Sequence, residues 1–286
     1  MAQAAGSRRV RRVVTHQVSV DREGQVVVKR YVDSHRGEPA REWRALQLLA
    51  EHAPRLAPEP ISADLEASPP SIVMSLLPGE PLGGRPLTAP QVGALAVAVG
   101  QLWQAVPVEL IAPVPGEIDT RTELVQVVRD WLDSTDPGPD ARVRDALASA
   151  ADWLGGTTLL AATAGRGFLD SSIPRVLGQG DANLANFLWD GELVRIVDFE
   201  DSGVSDRAFE LAVLVEHVSA WRDAGLDGDR FIAGFDLSAT EQSHVADWRP
   251  LLALYWLLRL RRRTDAGAAA GQAERLLSLL SDSPRR

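Results

Sequence analysis

The sequence predicts an α+β chain of two lobes, a β-rich first portion over residues 1–77 and a mainly helical remainder over 78–286. Three observations lead there. Short β-prone runs bounded by Asp, Gly, Ser and Pro crowd the first portion, whereas apolar residues at helical spacing dominate from Pro78 onward. Charge divides at the same place: residues 1–77 carry 11 basic and 9 acidic side chains, net +2, and residues 78–286 carry 19 and 30, net −11. A chain of 286 residues with 45% hydrophobic content fills one large domain or two lobes.

In the first portion, Arg11 to Thr15 and Gln17 to Val20 are β-prone. A turn at Asp21 to Gly24 precedes a strand from Gln25 to Tyr31. Lys29 shares a strand face with Val27 and Tyr31, because strand side chains alternate. It is the only lysine, against 29 arginines. A composition that otherwise prefers Arg marks this as a position where a compact ammonium is wanted and a planar guanidinium is not.

Gly37 to Glu51 reads as a helix: Trp43, Leu46 and Leu49 lie at helical spacing and Pro39 suits the first turn. Strands follow at Ile61 to Leu65 and Ser71 to Leu77, separated by Ser68-Pro69-Pro70. A helix then runs from Thr88, with Gln91 completing a capping box, to about Val106. Further helices are expected from Thr120 or Thr122 to Leu132 and from Pro139 to Leu154, with Trp103, Trp131 and Trp153 as core residues. Gly155 to Pro174 is too rich in glycine and small residues to assign.

The chemistry concentrates in Gly178 to Glu210. Val176-Leu177 leads into Gly178-Gln179-Gly180-Asp181, and Asn186 lies five residues later. Phe187 to Trp189, a turn at Asp190-Gly191 and a strand from Leu193 to Val197 form a hairpin that ends on Asp198. That hairpin brings Asp181, Asn186 and Asp198 to one rim of a small sheet. Two carboxylates and an amide there suit phosphoryl transfer, which needs positioning and charge neutralisation more than covalent help. Asp181 can orient an attacking hydroxyl and accept its proton, while Asn186 and Asp198 offer hard oxygen ligands to Mg²⁺.

D-x-x-x-x-N followed by a strand-final Asp-Phe resembles the signature of the kinase-like fold. With the preceding Gly-Asp and with Asp-Phe-Glu-Asp, the chain is similar to the aminoglycoside phosphotransferase/choline kinase family. The resemblance is strong over 176–216 and moderate over 25–80. It departs at Gln179, where family members usually carry His. It implies a bilobal protein-kinase-like fold, with a nucleotide-binding lobe over 1–77 and a catalytic and substrate-binding lobe over 78–286. The implied activity is transfer of the γ-phosphate of ATP or GTP, with Mg²⁺, to a hydroxyl of a small molecule, an aminoglycoside-like antibiotic first.

Residue by residue, the resemblance makes Asp181 the base and Asn186 and Asp198 the Mg²⁺ ligands. Lys29, held by Glu42 (with Glu38 as the rival), would touch the α- and β-phosphates. Met74, Ser75 and Leu76 would present their backbone to the nucleotide base, and Glu210 would brace the catalytic loop. Glu200 or Asp201 would assist with metal or substrate. No glycine-rich loop able to cover phosphates is visible. Alternatives are a kinase for choline, a sugar or a homoserine-type metabolite, and a catalytically inactive nucleotide- or ligand-binding member of the fold. A protein kinase is excluded by the lack of H-R-D, D-F-G and A-P-E and of room for an activation loop before Asp206.

After the central stretch, Asp206 is expected to cap a helix over Arg207 to Ala220, and Asp223, Asp227 and Asp229 mark two acidic turns that are candidates for an acceptor platform. Helical segments are expected over Thr240 to Arg262 with a break at Pro250, then over Gly271 to Leu280. Arg259, Arg261, Arg262 and Arg263 read as a solvated face.

Composition also excludes functions. No cysteine means no disulfide, thiolate chemistry or Cys-ligated metal, and five dispersed His give no zinc-site spacing. No run of eighteen apolar residues argues for a membrane partner. The first residues lack a signal peptide's apolar core, so a cytoplasmic location is expected. The acidic second portion argues against a nucleic-acid partner. It favours a cationic small molecule, although acidic surfaces also serve solubility. Nothing in the sequence sets the oligomeric state.

Overall fold

A computed structural model describes residues 9–12, 16–21, 23–34, 36–111, 120–156, 173–263 and 266–282. The chain gathers into two compact units. One comprises 1–117, 175–206 and 222–226, the other 118–174, 207–221 and 227–286.

The first unit is built on a five-stranded antiparallel sheet ordered β1-β2-β3-β5-β4, from β1 (Arg9–Arg12), β2 (His16–Asp21), β3 (Val26–Tyr31), β4 (Pro60–Asp64) and β5 (Ser71–Ser75). Helix α1 (Glu38–His52) buries Ala45, Leu46 and Leu49 as its apolar stripe predicts, but it buries Glu38, Arg41 and Glu42 as well. Those three are the first sign that this helix faces something other than a hydrophobic core. Helix α2 (Ala89–Ala105) starts on the expected capping box of Thr88 and Gln91.

Two small sheets complete the unit. β6 (Glu80–Pro81), β8 (Phe187–Trp189) and β9 (Val194–Ile196) form one, with the expected hairpin pairing Phe187 with Ile196. Asp190 closes the turn by accepting from the Glu192 and Leu193 N–H groups at 2.9 and 2.8 Å. The other sheet pairs β7 (Arg175–Gly178) with β10 (Gly203–Asp206), so the stretch after Asp198 returns alongside the strand that leads into Asp181. Asp206, expected as a helix cap, is the buried last residue of β10 and directly precedes Arg207, where the next helix begins.

The second unit is helical, with one apolar core that includes Val128, Leu147, Phe209, Trp248, Leu254 and Leu276. Its elements are α3 (Thr120–Ser134), α4 (Ala141–Gly156), α5 (Arg207–Glu216), α6 (Gly228–Ile232), α7 (Ala239–Arg262) and α8 (Ala266–Asp282). Three expectations need correction. α7 runs through Pro250 without a break, because Pro250 is buried among Leu251, Leu252 and Leu254 and packing outweighs the lost hydrogen bond. α5 stops at Glu216 and is followed by a π-helical turn over Ser219–Asp223. The alanine- and glycine-rich 266–271 forms the opening of α8.

The arginines at the end of α7 are not a plain solvated face. Arg259 lies over the Tyr255 and Trp256 rings, Arg262 over Trp131 at 4.9 Å, and Arg261 donates to the Asp136 carbonyl at 3.0 Å. Arg262 and Arg261 fasten α7 to α3 and to the turn after it, whereas the Arg259 contacts stay within α7. No helix among the described residues is long and apolar enough to cross a membrane.

Candidate active site

The loop between β7 and β8 holds Asp181 in a narrow setting. Gly180 has φ 82° and packs so closely that a Cβ would collide with the Asp201 carbonyl, so only glycine fits before Asp181. Gln179 is buried and braces both sides: its Oε1 accepts from the Asp181 N–H at 2.9 Å, and its Nε2 donates to the Asp198 carbonyl at 2.8 Å. An amide carries one acceptor and two donors, so Gln179 does this bracing without an imidazole. Asp181 then accepts from the Asn183 N–H at 3.2 Å and from Asn186 Nδ2 at 3.1 Å.

β9 delivers the other half. The Val197 N–H donates to the Asn186 carbonyl at 2.9 Å, which sets Asn186 beside the residue that follows, Asp198. Asp198 has φ 65°, a left-handed conformation that Asp tolerates better than most residues. Its carboxylate takes a hydrogen bond from Lys29 Nζ, across 169 residues of sequence. Lys29 also donates to Glu42 Oε2 at 2.7 Å and lies 2.9 Å from Glu200 Oε2. Three carboxylates thus converge on the only lysine. The sequence pointed to Glu42 and named Glu38 as its rival; Glu42 is the partner, and Glu38 instead accepts from the Arg36 N–H.

Helix α1, with Arg36 just before it, grips the segment after Asp198 at several points. Glu42 accepts from the Phe199 N–H at 3.4 Å, Arg41 Nε donates to the Glu200 carbonyl at 3.0 Å, and Arg36 Nη2 donates to Asp201 at 2.7 Å. Tyr31 OH hydrogen-bonds to Glu42, and His16 Nδ1 lies 3.0 Å from Glu200 Oε2. Sequence reasoning missed His16, Tyr31, Arg36 and Arg41. Only Tyr31 carried a usable signal, lying on the Lys29 face of the same strand.

The electrostatics follow from this crowding. Burial alone would lower the Lys29 pKa, but Glu42, Asp198 and Glu200 overcome it and hold the ammonium firmly protonated. Burial and then the Asp198 charge push the Asp181 carboxyl up. Burial would also raise Glu200, yet His16 and Lys29 keep it down at about 2. Burial lifts Asp201 to about 6 against the pull of Arg36.

The donor set fits a hard divalent cation. Asp198, Glu200 and Asp181 are carboxylates, and Asn186 spends its amide nitrogen on Asp181, which leaves its oxygen as the atom with ligand chemistry. His16, Asp198 and Glu200 each offer an atom within 4.8 Å of the others.

At the far end of β5 the expected base-binding backbone is partly in use. The Ser75 N–H donates to the Glu59 carbonyl at 2.9 Å and the Leu76 N–H to the Gln25 carbonyl at 2.7 Å. Pro78 has no N–H, so Leu77 carries the next donor, which has no protein acceptor among the described residues. Met74 is buried in the sheet. The three acidic turn residues are engaged: Asp227 caps α6 by accepting from the Arg230 N–H, Asp229 pairs with Arg249, and Asp223 pairs with Arg222.

A family model described as the phosphotransferase enzyme family matches residues 7–254. No curated protein matches the chain in sequence. Among solved structures, a choline/ethanolamine kinase family protein from Mesorhizobium loti is similar at 18% identity and TM-score 0.59, over 98% of this chain and 90% of that one. The GDP and kanamycin complex of an APH(2")-IIIa enzyme is similar at 19% identity and TM-score 0.63, over 96% and 92%. Choline kinase LicA from Streptococcus pneumoniae is similar at 13% identity and TM-score 0.55, over 93% and 89%. Such likenesses establish a kinase-like fold.

Proposed function

Because the chain belongs to the phosphotransferase enzyme family, we propose that it transfers the γ-phosphoryl group of ATP or GTP to a hydroxyl of a small molecule. The observation that carries this reading is the meeting of Lys29, Glu42 and Asp198 from distant parts of the sequence, beside the Asp181–Asn186 pair. Residues 1–77 serve the nucleotide and residues 78–286 supply catalysis and the acceptor site.

Each residue has a stated task. Asp181 orients the acceptor hydroxyl and takes its proton as the oxygen attacks phosphorus. Its position is fixed by Asn183 and Asn186 through hydrogen bonds and by Gln179 through the backbone. Asn186 and Asp198 hold Mg²⁺, which when bound neutralises phosphate charge. Lys29, set by Glu42, contacts the α- and β-phosphates. The backbone around Met74, Ser75 and Leu76 lies along the nucleotide base, and the Leu77 N–H is the donor left for its edge.

For the acceptor we place an aminoglycoside-like amino sugar first, on the net charge of −11 over residues 78–286. A metabolite alcohol is the second reading. It is favoured by the engagement of Asp223, Asp227 and Asp229 with partners of their own, which leaves less free negative charge to attract a polycation.

The test is Mg²⁺-dependent turnover of ATP and GTP by the purified protein against aminoglycosides, choline, sugars and homoserine, at low and high salt. Asp198→Ala should abolish turnover in a folded protein. Asp181→Asn should slow it by about 10²–10⁴-fold while acceptor binding persists. Full activity in folded Asp198→Ala would end the phosphotransfer reading. An acceptor affinity indifferent to salt would remove the polycation while leaving the metabolite alcohol.

A further inference from the structure

His16 has no part in the scheme above, yet it is buried at the first position of β2 and aimed at the reaction centre. Its Cα partner across the β2–β3 ladder is Tyr31, and the two rings lie 6.3 Å apart at 54°. His16 Nδ1 and Lys29 Nζ reach the same carboxylate oxygen, Glu200 Oε2, at 3.0 and 2.9 Å. At that distance the imidazole nitrogen and the carboxylate oxygen are in polar contact. Tyr31 in turn bonds to Glu42, and Glu42 to Lys29. Five side chains from β2, β3, α1 and the segment after β9, Lys29 among them, therefore form one closed circuit.

That ammonium has three N–H donors, and Glu42, Asp198 and Glu200 face them. On the phosphotransfer reading, which this inference rests on, Asp198 would be a ligand of the metal. Lys29 then keeps two carboxylate anchors, Glu42 and Glu200, and these fix where its third donor points. Glu42 is held by the helix it sits on and by Tyr31. Glu200 lies in the chain segment past Asp198, and besides Lys29 itself His16 contacts its Oε2. We propose that His16 is a positioning residue for the phosphate contact of Lys29, acting through Glu200.

The test compares His16→Leu, which keeps apolar bulk against Tyr31 but has no donor, with His16→Asn, which keeps a donor at about the place of Nδ1. Glu200→Gln and the His16→Leu/Glu200→Gln double variant complete a cycle. The readouts are kcat, the KM of nucleotide and of acceptor separately, calorimetric affinity for the Mg²⁺ nucleotide, and melting temperature. His16→Leu should lose roughly 10–100-fold in kcat/KM for nucleotide with acceptor KM unchanged, the scale of a small misplacement of a binding group. His16→Asn should recover most of that loss, and the double variant should be no worse than Glu200→Gln alone.

Wild-type kinetics in folded His16→Leu, equal losses in the Leu and Asn variants, or losses that multiply would each overturn the proposal. Should His16→Leu not fold, His16→Ala takes its place in the cycle. A wild-type protein that neither binds Mg²⁺ nucleotide nor turns it over would defeat the phosphotransfer reading itself. A wild type that binds nucleotide, with variants that bind and react identically, would defeat only the role of His16.

Discussion

Among the described residues, two buried clusters of charge are built in opposite ways. Around Lys29, one ammonium meets three carboxylates, with Asp181 close enough for the Asp198 charge to raise its pKa. Around Glu216, in the helical unit, one fully buried carboxylate meets two guanidinium groups, Arg249 Nε at 2.7 Å and Arg275 Nε at 2.5 Å. Arg249 also reaches the exposed Asp229, and Arg275 lies over the Trp221 ring at 5.3 Å. The second cluster balances its own charge. The first is left negative by more than one unit, and burial keeps water from dispersing that excess. A protein that needed only stability has no use for the imbalance, whereas a site that receives a cation with its phosphates does.

If the Glu216 cluster is purely structural, breaking it should be the largest stability effect in the molecule and should leave chemistry alone. Glu216→Ala strands Arg249 and Arg275 without their shared partner, and removal of one side of a buried pair costs about 3–5 kcal/mol. Denaturant unfolding should register that loss, with turnover per folded molecule unchanged. A stable variant with altered kinetics would erase the distinction between the two clusters.

The two clusters also differ in how readable they were. Asp181, Asn186 and Asp198 were legible because a hairpin converts sequence spacing into proximity, and β8 and β9 form that hairpin. Lys29 was legible because a lone lysine among arginines is a compositional anomaly. His16 with Glu200 was not, since nothing local links a β2 residue to one 184 positions away. Glu216 was hidden too: its partners lie on α7 and α8, and a glutamate at a helix end looks like any solvated residue. Pro250 misled because helix breaking is a local rule, and the apolar packing that overrides it is not local. The fold class needed only patterns; the charge networks needed the tertiary structure.

A smaller effect separates geometry from charge within the first cluster. Lys29→Arg preserves the positive charge but substitutes a planar fork for a point ammonium with three donors. Glu42, Asp198 and Glu200 surround that point at hydrogen-bonding distance, and the Lys29 side chain is only 4% exposed. A guanidinium there must displace at least one carboxylate. Turnover should fall about 10²-fold, the scale of a displacement of about 1 Å, while the melting temperature moves little. Wild-type turnover in Lys29→Arg would mean that any cation serves, and the comparison of the two clusters would lose its functional half.

The smallest effect is the most direct probe of the imbalance. Asp198→Asn removes one negative charge from the excess and keeps an oxygen that can still accept from Lys29. Asn tolerates the φ of 65° at least as well as Asp, so the backbone imposes no penalty of its own. Lys29 retains Glu42 and Glu200, and repulsion on Asp181 and Glu42 is relieved, since the Asp198 charge raises both of their pKa values. Without metal the variant should therefore be more stable than wild type by about 0.5–2 kcal/mol, the scale of a single stabilising substitution. Mg²⁺ should reverse the order. A cation that binds the folded wild type at 100 times its dissociation constant adds about 2.7 kcal/mol, and the variant, lacking a charged ligand, should gain much less. Melting temperatures of both proteins across a Mg²⁺ titration test this directly. Curves that cross would locate the excess charge at Asp198, whereas a variant less stable at every concentration would mean that Lys29 already neutralises the cluster without help.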